Sequence, residues 1–491
     1  MSRAAGLALL VVFGVLVTAN SAGYRYGISD QAFYIPAIDL AGSPALFPRD
    51  RTLIAPQARL LVLDEGLAWV SRVTGLGLPV LFFAGYLATL TLFVAGLLLI
   101  GARLYGSAWT TAALVLALTL RHRILRTGVN TFEGYFHPRL LAFAVGLVAV
   151  GLFWSRRPRW AALLAAAAML VHPTTGGWFV VWLGAAVFAT GSPRVRRAMT
   201  AAIALTAAGL ALALVVGQRL EQMDPTWMAA FANRDYLFPT RDWNLGAWVV
   251  NLLPAVVLAG ALWWRARLGL LTRAETGIAA GALALLAGFL LSLPFIAAEL
   301  ALAVQLQTSR MLWPIELVAT AYLVWMLAEA PWNRIAPCRR QVALVTLLAV
   351  ASAARGYYVL RIEHTNTLAR VSPAPSDWWR MGEWIGRHTP VDAHVLADPQ
   401  HVWPYGTSLR IAARRDVVTE DTKDAAIALY GRSVALRVLD RRQALAGFHQ
   451  LTVAQARALD RQYDLDYLLA ERRLNLPIVH REGRLILYSL N

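Results

Sequence analysis

Apolar runs long enough to cross a bilayer, or nearly so, recur along the first 355 residues, at about 5–19, 77–100, 107–120, 139–154, 198–216, 247–264, 276–293, 311–328 and 341–354. A hydrocarbon core of ~30 Å calls for roughly 20 apolar residues in helical form. In lipid only helices and closed barrels satisfy their own backbone polar groups. The repeated runs therefore predict a bundle of membrane helices, and the 58% hydrophobic content agrees, being well above the ~45–50% of soluble domains. The stretch 160–190 is different. Its roughly twelve apolar residues before His172 reach only about 18 Å at ~1.5 Å per residue, and HPTTGG (172–177) interrupts them. Two short spans or a hairpin of half-helices would fit, for about eleven apolar segments in all.

The net charge of +17 would suggest nucleic acid in a soluble protein, so its distribution matters. Residues 372–491 carry 16 Arg/Lys against 14 Asp/Glu, and the remaining excess sits in short loops between apolar runs. That is the pattern of membrane topology, and no nucleic-acid partner is expected. Arg156, Arg157 and Arg159; Arg194, Arg196 and Arg197; Arg265, Arg267 and Arg273; and Arg334, Arg339 and Arg340 mark one side as cytoplasmic. Alternate counting puts the 20–76 loop and everything after about 355 outside. One loop breaks the pattern: RHRILRTGVNTFEGYFHPR (121–139) is basic yet external, which points either to a misplaced segment or to an external anion site. The first run reads as a retained anchor in preference to a cleaved leader, because no A-x-A site ends it. The single Cys338 excludes an internal disulfide. No zinc-site spacing, phosphate-binding loop, dinucleotide fingerprint or HExxH motif occurs.

Past about 355 the hydropathy falls. DWWRMGEWIGRH (377–388) predicts an amphipathic helix, HVLAD (394–398) a short strand, 424–446 and 452–463 further helices, DYLLAE (466–471) a buried strand, and 476–490 a hairpin turning near Glu482-Gly483. The division expected is a membrane domain over 1–355, including the acidic loop 20–76, and a small external α/β domain over 356–491.

Chemistry concentrates in a few places. GISDQAFYIPAIDLAGSPALFPRD (27–50) sets Asp30, Asp39 and Asp50 beside the first apolar run, with three prolines favouring a bent, folded loop. A carboxylate there can serve as general base or metal ligand. Asp30 ranks first and Asp39 second; both could approach one site only if the loop folds back. LLVLDEGLAWV (60–70) reads as an interfacial helix whose acids, Asp64 and Glu65, face water. Two His-Pro pairs, His137-Pro138 and His172-Pro173, fall at the external ends of apolar segments, with Glu133 near the first. Either histidine alone reads as a helix cap or a satisfied core residue; two at matching depth favour a lined cavity. Arg310 stands before an apolar run where a guanidinium could grip a phosphate, with Arg139, Arg126 and Arg123 as further members of a basic rim. Snorkelling to lipid headgroups is the alternative for each arginine.

These features together resemble the GT-C superfamily of polytopic glycosyltransferases. SDQAFYIPAIDLAGSPALFPRD, FHPRLLAF, VHPTTGGW and QTSRMLW are similar to segments of bacterial GT-C-like membrane proteins, and WIGRHTPVDAHVLADP and RRDVVTEDTKDA are similar to their tails. The resemblance implies inverting transfer of a sugar from a polyprenyl-phosphate donor to an envelope saccharide, lipid or protein acceptor, on the periplasmic face of a bacterial inner membrane. It implies Asp30 as base or acceptor-orienting group and Asp39 as a supporting acid or metal ligand. Arg310, His137, Arg139 and His172 would surround the lipid phosphate, with Glu133 as a further polar wall. A divalent metal, magnesium or manganese, is compatible with Asp30 and Asp39 but not required. The family's acidic pair is often adjacent, whereas here Gln31 follows Asp30. A flippase for a lipid-linked saccharide, which predicts paired broken helices in repeated halves, and a non-catalytic envelope scaffold are the other readings.

Overall fold

The computed structural model describes residues 2–58, 62–216, 220–231, 234, 236–331 and 336–490, so Arg334 lies outside the described residues. The chain divides into two compact units. One comprises Met1–Tyr24, Gly85–Gln222 and Arg234–Ala369; the other comprises Arg25–Ala84, Met223–Asn233 and Arg370–Asn491. The sequence grouped the acidic loop with the membrane helices, whereas here that loop shares a unit with the C-terminal segment.

The first unit is helical. Each expected apolar run forms a helix. Among the described residues six helices are long and apolar enough to cross a membrane, and Ala108–Ala117, Pro138–Trp154 and Pro158–Val171 are shorter. The chain is thus a multi-pass membrane protein. The interrupted stretch is a helical hairpin: Pro158–Val171 packs against Pro173–Thr190, and His172 caps both. A Cβ on Gly176 would fall 2.1 Å from the backbone nitrogen of Met169, so the reversal needs glycine there.

Small residues let these helices approach closely, the usual device where lipid supplies no hydrophobic driving force between helices. Gly281 on helix Arg273–Ala297 lies flat against Trp182, with room for no side chain, and the Trp182 indole donates to the Ile278 carbonyl at 3.0 Å. Phe143 stacks on Trp313 at 3.8 Å, and Gly146 gives way to Phe179. The first helix, Arg3–Asn20, is tied in at its end, where the Asn20 amide donates to the Ser352 carbonyl and hydroxyl at 3.1 and 3.0 Å. Arg265, read as a loop charge, is instead buried. It donates to Glu275 at 2.5 Å, and Glu275 also accepts from the Tyr322 hydroxyl at 3.0 Å.

The second unit is built on a five-stranded sheet. Its strands are β1 (His394–Leu396), β2 (Asp416–Val417), β3 (Tyr467–Ala470), β4 (Ile478–Glu482) and β5 (Leu485–Ser489), in the order β2-β1-β3-β5-β4. β1 pairs in parallel with both β2 and β3, and the β4–β5 hairpin completes the sheet antiparallel. Helix Asp377–His388 buries Trp378, Met381 and Ile385 against it. The predicted helix, strands and hairpin are present. The two-residue strand β2 and the short turns around it carry too little periodicity to read from sequence.

Asp50 sits at the centre of this unit, fully buried. It accepts from Arg410 Nε at 2.7 Å and from the Val417 backbone at 3.0 Å, and it pairs with Arg437. Arg410 in turn donates to Asp424 at 2.6 and 3.0 Å, and its own backbone donates to Glu420. Glu420 also accepts from the Ser408 hydroxyl at 2.7 Å. Burial opposes ionisation of Asp50, yet the two guanidiniums hold its carboxyl well below the usual carboxylate range. Glu420 is held down to about 2 against the same opposition, chiefly by Arg410. Removing one partner of such a buried cluster strands the rest. Asp50→Ala is expected to cost ~3–5 kcal/mol, seen as a lowered Tm and faster proteolysis of the C-terminal segment in lipid nanodiscs.

Candidate functional site

The two acidic candidates of the first loop lie on one helix, Gln31–Gly42, with Pro36 inside it. Asp30 occupies the N-cap position but caps nothing with its side chain. Its carboxylate, one-third exposed, lies 3.2 Å from Lys423 Nζ, which also sits over the Phe33 ring at 5.4 Å. Lys423 is the only lysine in the chain. Gln31 is fully buried, and its side-chain oxygen accepts from the Gly27 backbone at 2.6 Å. Gln31 thus holds the turn entering the helix.

Asp39 sits toward the other end of the helix, 3.0 Å from Arg414. Burial pushes its carboxyl up to about 6, with Arg414 pulling the other way. Asp39 follows Asp30 by nine positions, about 13 Å of axial rise. The loop does not fold back to join them, and a shared metal does not fit this geometry. No group of three or more potential ligands is arranged for a metal among the described residues.

Asp64 also departs from expectation. It stands in the first turn of helix Leu63–Thr74, but only Glu65 faces water. Asp64 is 1% exposed, and neither carboxylate oxygen has a hydrogen-bond partner. Burial, reinforced by the Glu65 charge, pushes it up to about 8. No sequence signal separates it from its neighbour, because the choice depends on which face of the helix is covered.

In the first unit, the other candidates converge. His137 and His172 play the same local role, each as N-cap of a helix that opens on proline. His137 Nδ1 accepts from the Arg139 backbone at 3.0 Å, and His172 Nδ1 accepts from Thr175 at 3.3 Å. A neutral imidazole whose Nδ1 accepts carries its proton on Nε2. Helices Pro138–Trp154 and Pro173–Thr190 are joined through the intervening hairpin helix. They therefore run the same way and present their N-termini at one level, locked side by side through Phe143 and Phe179 at 5.2 Å.

His137, Arg139 and Arg310 lie close enough to act electrostatically on half-buried His172. Arg139 is itself buried and donates to Glu133 at 3.1 Å. Arg310, in the turn Thr308–Met311, donates through Nε to the Thr127 carbonyl at 3.2 Å and passes close to Gly128, whose positive φ bends the 121–139 loop beneath it. Arg126 is turned away, donating to the Asp242 carbonyl at 2.6 Å, and Arg123 is exposed. Two helix N-termini, two guanidiniums and two imidazoles make an environment suited to an anion. One further pair escaped the sequence reading: His122 Nδ1 lies 2.5 Å from Glu316.

No family model and no curated protein matches the sequence. Among solved structures, the chain is similar to the oligosaccharyltransferase of Archaeoglobus fulgidus tethered to an acceptor peptide containing the NVT sequon, with TM-score 0.49 and 12% identity, covering 96% of this chain and 69% of that one. It is similar to the same archaeal enzyme in complex with an inhibitory peptide and a dolichol-phosphate, with TM-score 0.46 and 13% identity over 94% of this chain and 69% of that one. A mycobacterial arabinofuranosyltransferase aligns with TM-score 0.46 and 17% identity, over 96% of this chain and 35% of that one. These similar structures are glycosyltransferases. At such scores and identities the likeness assigns no substrate and no residue role.

The Asp64 geometry has a measurable sign. Its folded carboxyl titrates near 8, whereas an unfolded aspartate titrates near ~3.9. The folded state therefore keeps a proton that the unfolded state has lost, and stability falls as pH rises through that window. Wild-type protein should lose a few kcal/mol between about pH 4 and pH 8 through this group. Asp64→Asn should flatten that slope in a series of Tm measurements.

Proposed function

We propose that this chain is an integral-membrane glycosyltransferase of GT-C type, which moves a sugar from a polyprenyl-phosphate donor to an envelope acceptor on the external face of a bacterial inner membrane. The observation that carries the reading is the convergence of His137, Arg139, His172 and Arg310 at two parallel helix N-termini. A cationic, largely buried setting of this kind suits a phosphate that gains charge as the bond to sugar breaks. The helices themselves offer a lipid-facing body against which a polyprenyl chain could lie.

In this mechanism an acceptor hydroxyl attacks the anomeric carbon, the carbon–oxygen bond to phosphate breaks, and polyprenyl phosphate departs with the electron pair. Attack from the opposite side inverts the anomeric centre. Asp30 takes the hydroxyl proton, and its partial exposure leaves a side open to an acceptor. Lys423 keeps the carboxylate in place until the acceptor arrives. Asp39, paired with Arg414, supports the helix that carries Asp30 and takes no proton in the reaction. Arg310 and Arg139 neutralise the departing phosphate, with His137 and His172 beside it, and Glu133 fixes the Arg139 fork.

Incubation of nanodisc-held protein with radiolabelled polyprenyl-phosphate sugars and envelope acceptors tests this reading. Asp30→Asn should lower transfer by ~10²–10⁴-fold with donor binding retained. Arg310→Ala should weaken donor binding and lower turnover together, by about 10²-fold or more in kcat/KM. Full turnover by a folded Asp30→Asn protein would remove Asp30 from the chemistry. Donor binding without transfer in every protein, given an acceptor that other envelope enzymes use, would favour a flippase.

A further inference from the structure

The second unit holds a cavity of about 500 Å³, lined by Trp378, Asp398, Tyr405, His449, Glu471 and Arg484 among others. Its position follows from sheet topology. From β1 the chain crosses to β2 on one side, and β3 is then added on the other, so the strand order reverses between β1 and β3. In open sheets with parallel strands, ligands bind outside the carboxyl ends of the strands at such a reversal. Asp398 follows β1 by two residues, and Glu471 follows β3 directly. The cavity thus lies where this topology opens a crevice, with a volume in the range of small-molecule sites.

The lining identifies a ligand class. Tyr405 stacks on Trp378 with ring centroids 4.3 Å apart and planes within 6°, and the Tyr405 hydroxyl donates to Glu471 Oε1 at 2.6 Å. Arg484 lies 3.6 Å from the same carboxylate, and His449 lies 3.5 Å from Asp398. Trp378 is 2% exposed, and its indole N–H has no acceptor. A buried donor left without a partner beside a cavity is what a ligand oxygen would complete.

We propose that this cavity is a second ligand site, distinct from the Asp30 carboxylate, and that it binds a neutral saccharide of one or two rings. Flat aromatic surface suits the apolar face of a sugar ring. Two carboxylates and two guanidiniums (Asp398, Glu471, Arg472 and Arg484) supply directional acceptors and donors for hydroxyls. Their charges balance, so the lining gives a phosphate no net positive field, which disfavours a nucleotide or sugar phosphate. The site goes beyond the transfer reaction and stands or falls by binding alone.

Saturation-transfer NMR on the full-length protein in nanodiscs tests it, with glucose, galactose, mannose, arabinose and their disaccharides as probes, and glucose phosphate and a short polar peptide as contrasts. At least one neutral saccharide should bind, with affinity reduced about tenfold or more in Glu471→Gln and in Asp398→Asn and unchanged in Asp30→Asn. Circular dichroism of each variant confirms that the fold is retained. Failure of every neutral saccharide to bind wild-type protein overturns the proposal, as does binding undiminished in both carboxamide variants or a preference for the phosphate or the peptide. Transfer activity without such binding would leave the glycosyltransferase reading intact and remove only this site.

Discussion

The buried charge cluster around Asp50 and Arg410 is the interaction on which the second unit depends. Residues more than three hundred positions apart in sequence are held together there, because neither the carboxylate nor the guanidinium tolerates burial without the other. The cluster is closed on all sides. Arg410 meets Asp50, Glu420 and Asp424, and Asp50 meets both Arg410 and Arg437. Such a set specifies one pairing of segments more strictly than apolar packing does, since any other register leaves a charge unpaired. The helix bearing Asp30 and Asp39 belongs to the same unit, and ion pairs to Lys423 and Arg414 hold it there.

The first unit solves a different problem. Each His-Pro pair does two jobs at once: proline starts a helix where an N–H would be orphaned anyway, and histidine caps the next N–H. Using histidine in place of serine or aspartate leaves the helix end without a negative charge and adds a second N–H. A neutral cap therefore leaves the positive end of the helix dipole without a full opposing charge. Arg139 and Arg310 add to a field the backbone already sets up.

Much of this was legible from sequence, and the misses share a cause. Apolar periodicity located the helices, and each His-Pro pair marked a helix start, because those signals are local. Hydropathy reads composition before helix length, so the short helices 108–117 and 158–171 read in sequence like the longer ones. The acidic loop was expected to bend at its prolines, but Pro36 is accommodated within a helix, which separates Asp30 from Asp39. Arg265 and Asp64 looked exposed by residue type and are buried through pairing or packing with segments distant in sequence. Lys423 drew no attention because its significance lies in its partner, Asp30, across 393 positions.

That lysine has a practical consequence. In a chain whose other basic side chains are arginines, amine-selective chemistry is confined to the α-amino group and Lys423. Isotopic methylation would thus place a single side-chain label 3.2 Å from the Asp30 carboxylate. The protein carries its own spectroscopic reporter on that carboxylate, readable without mutation.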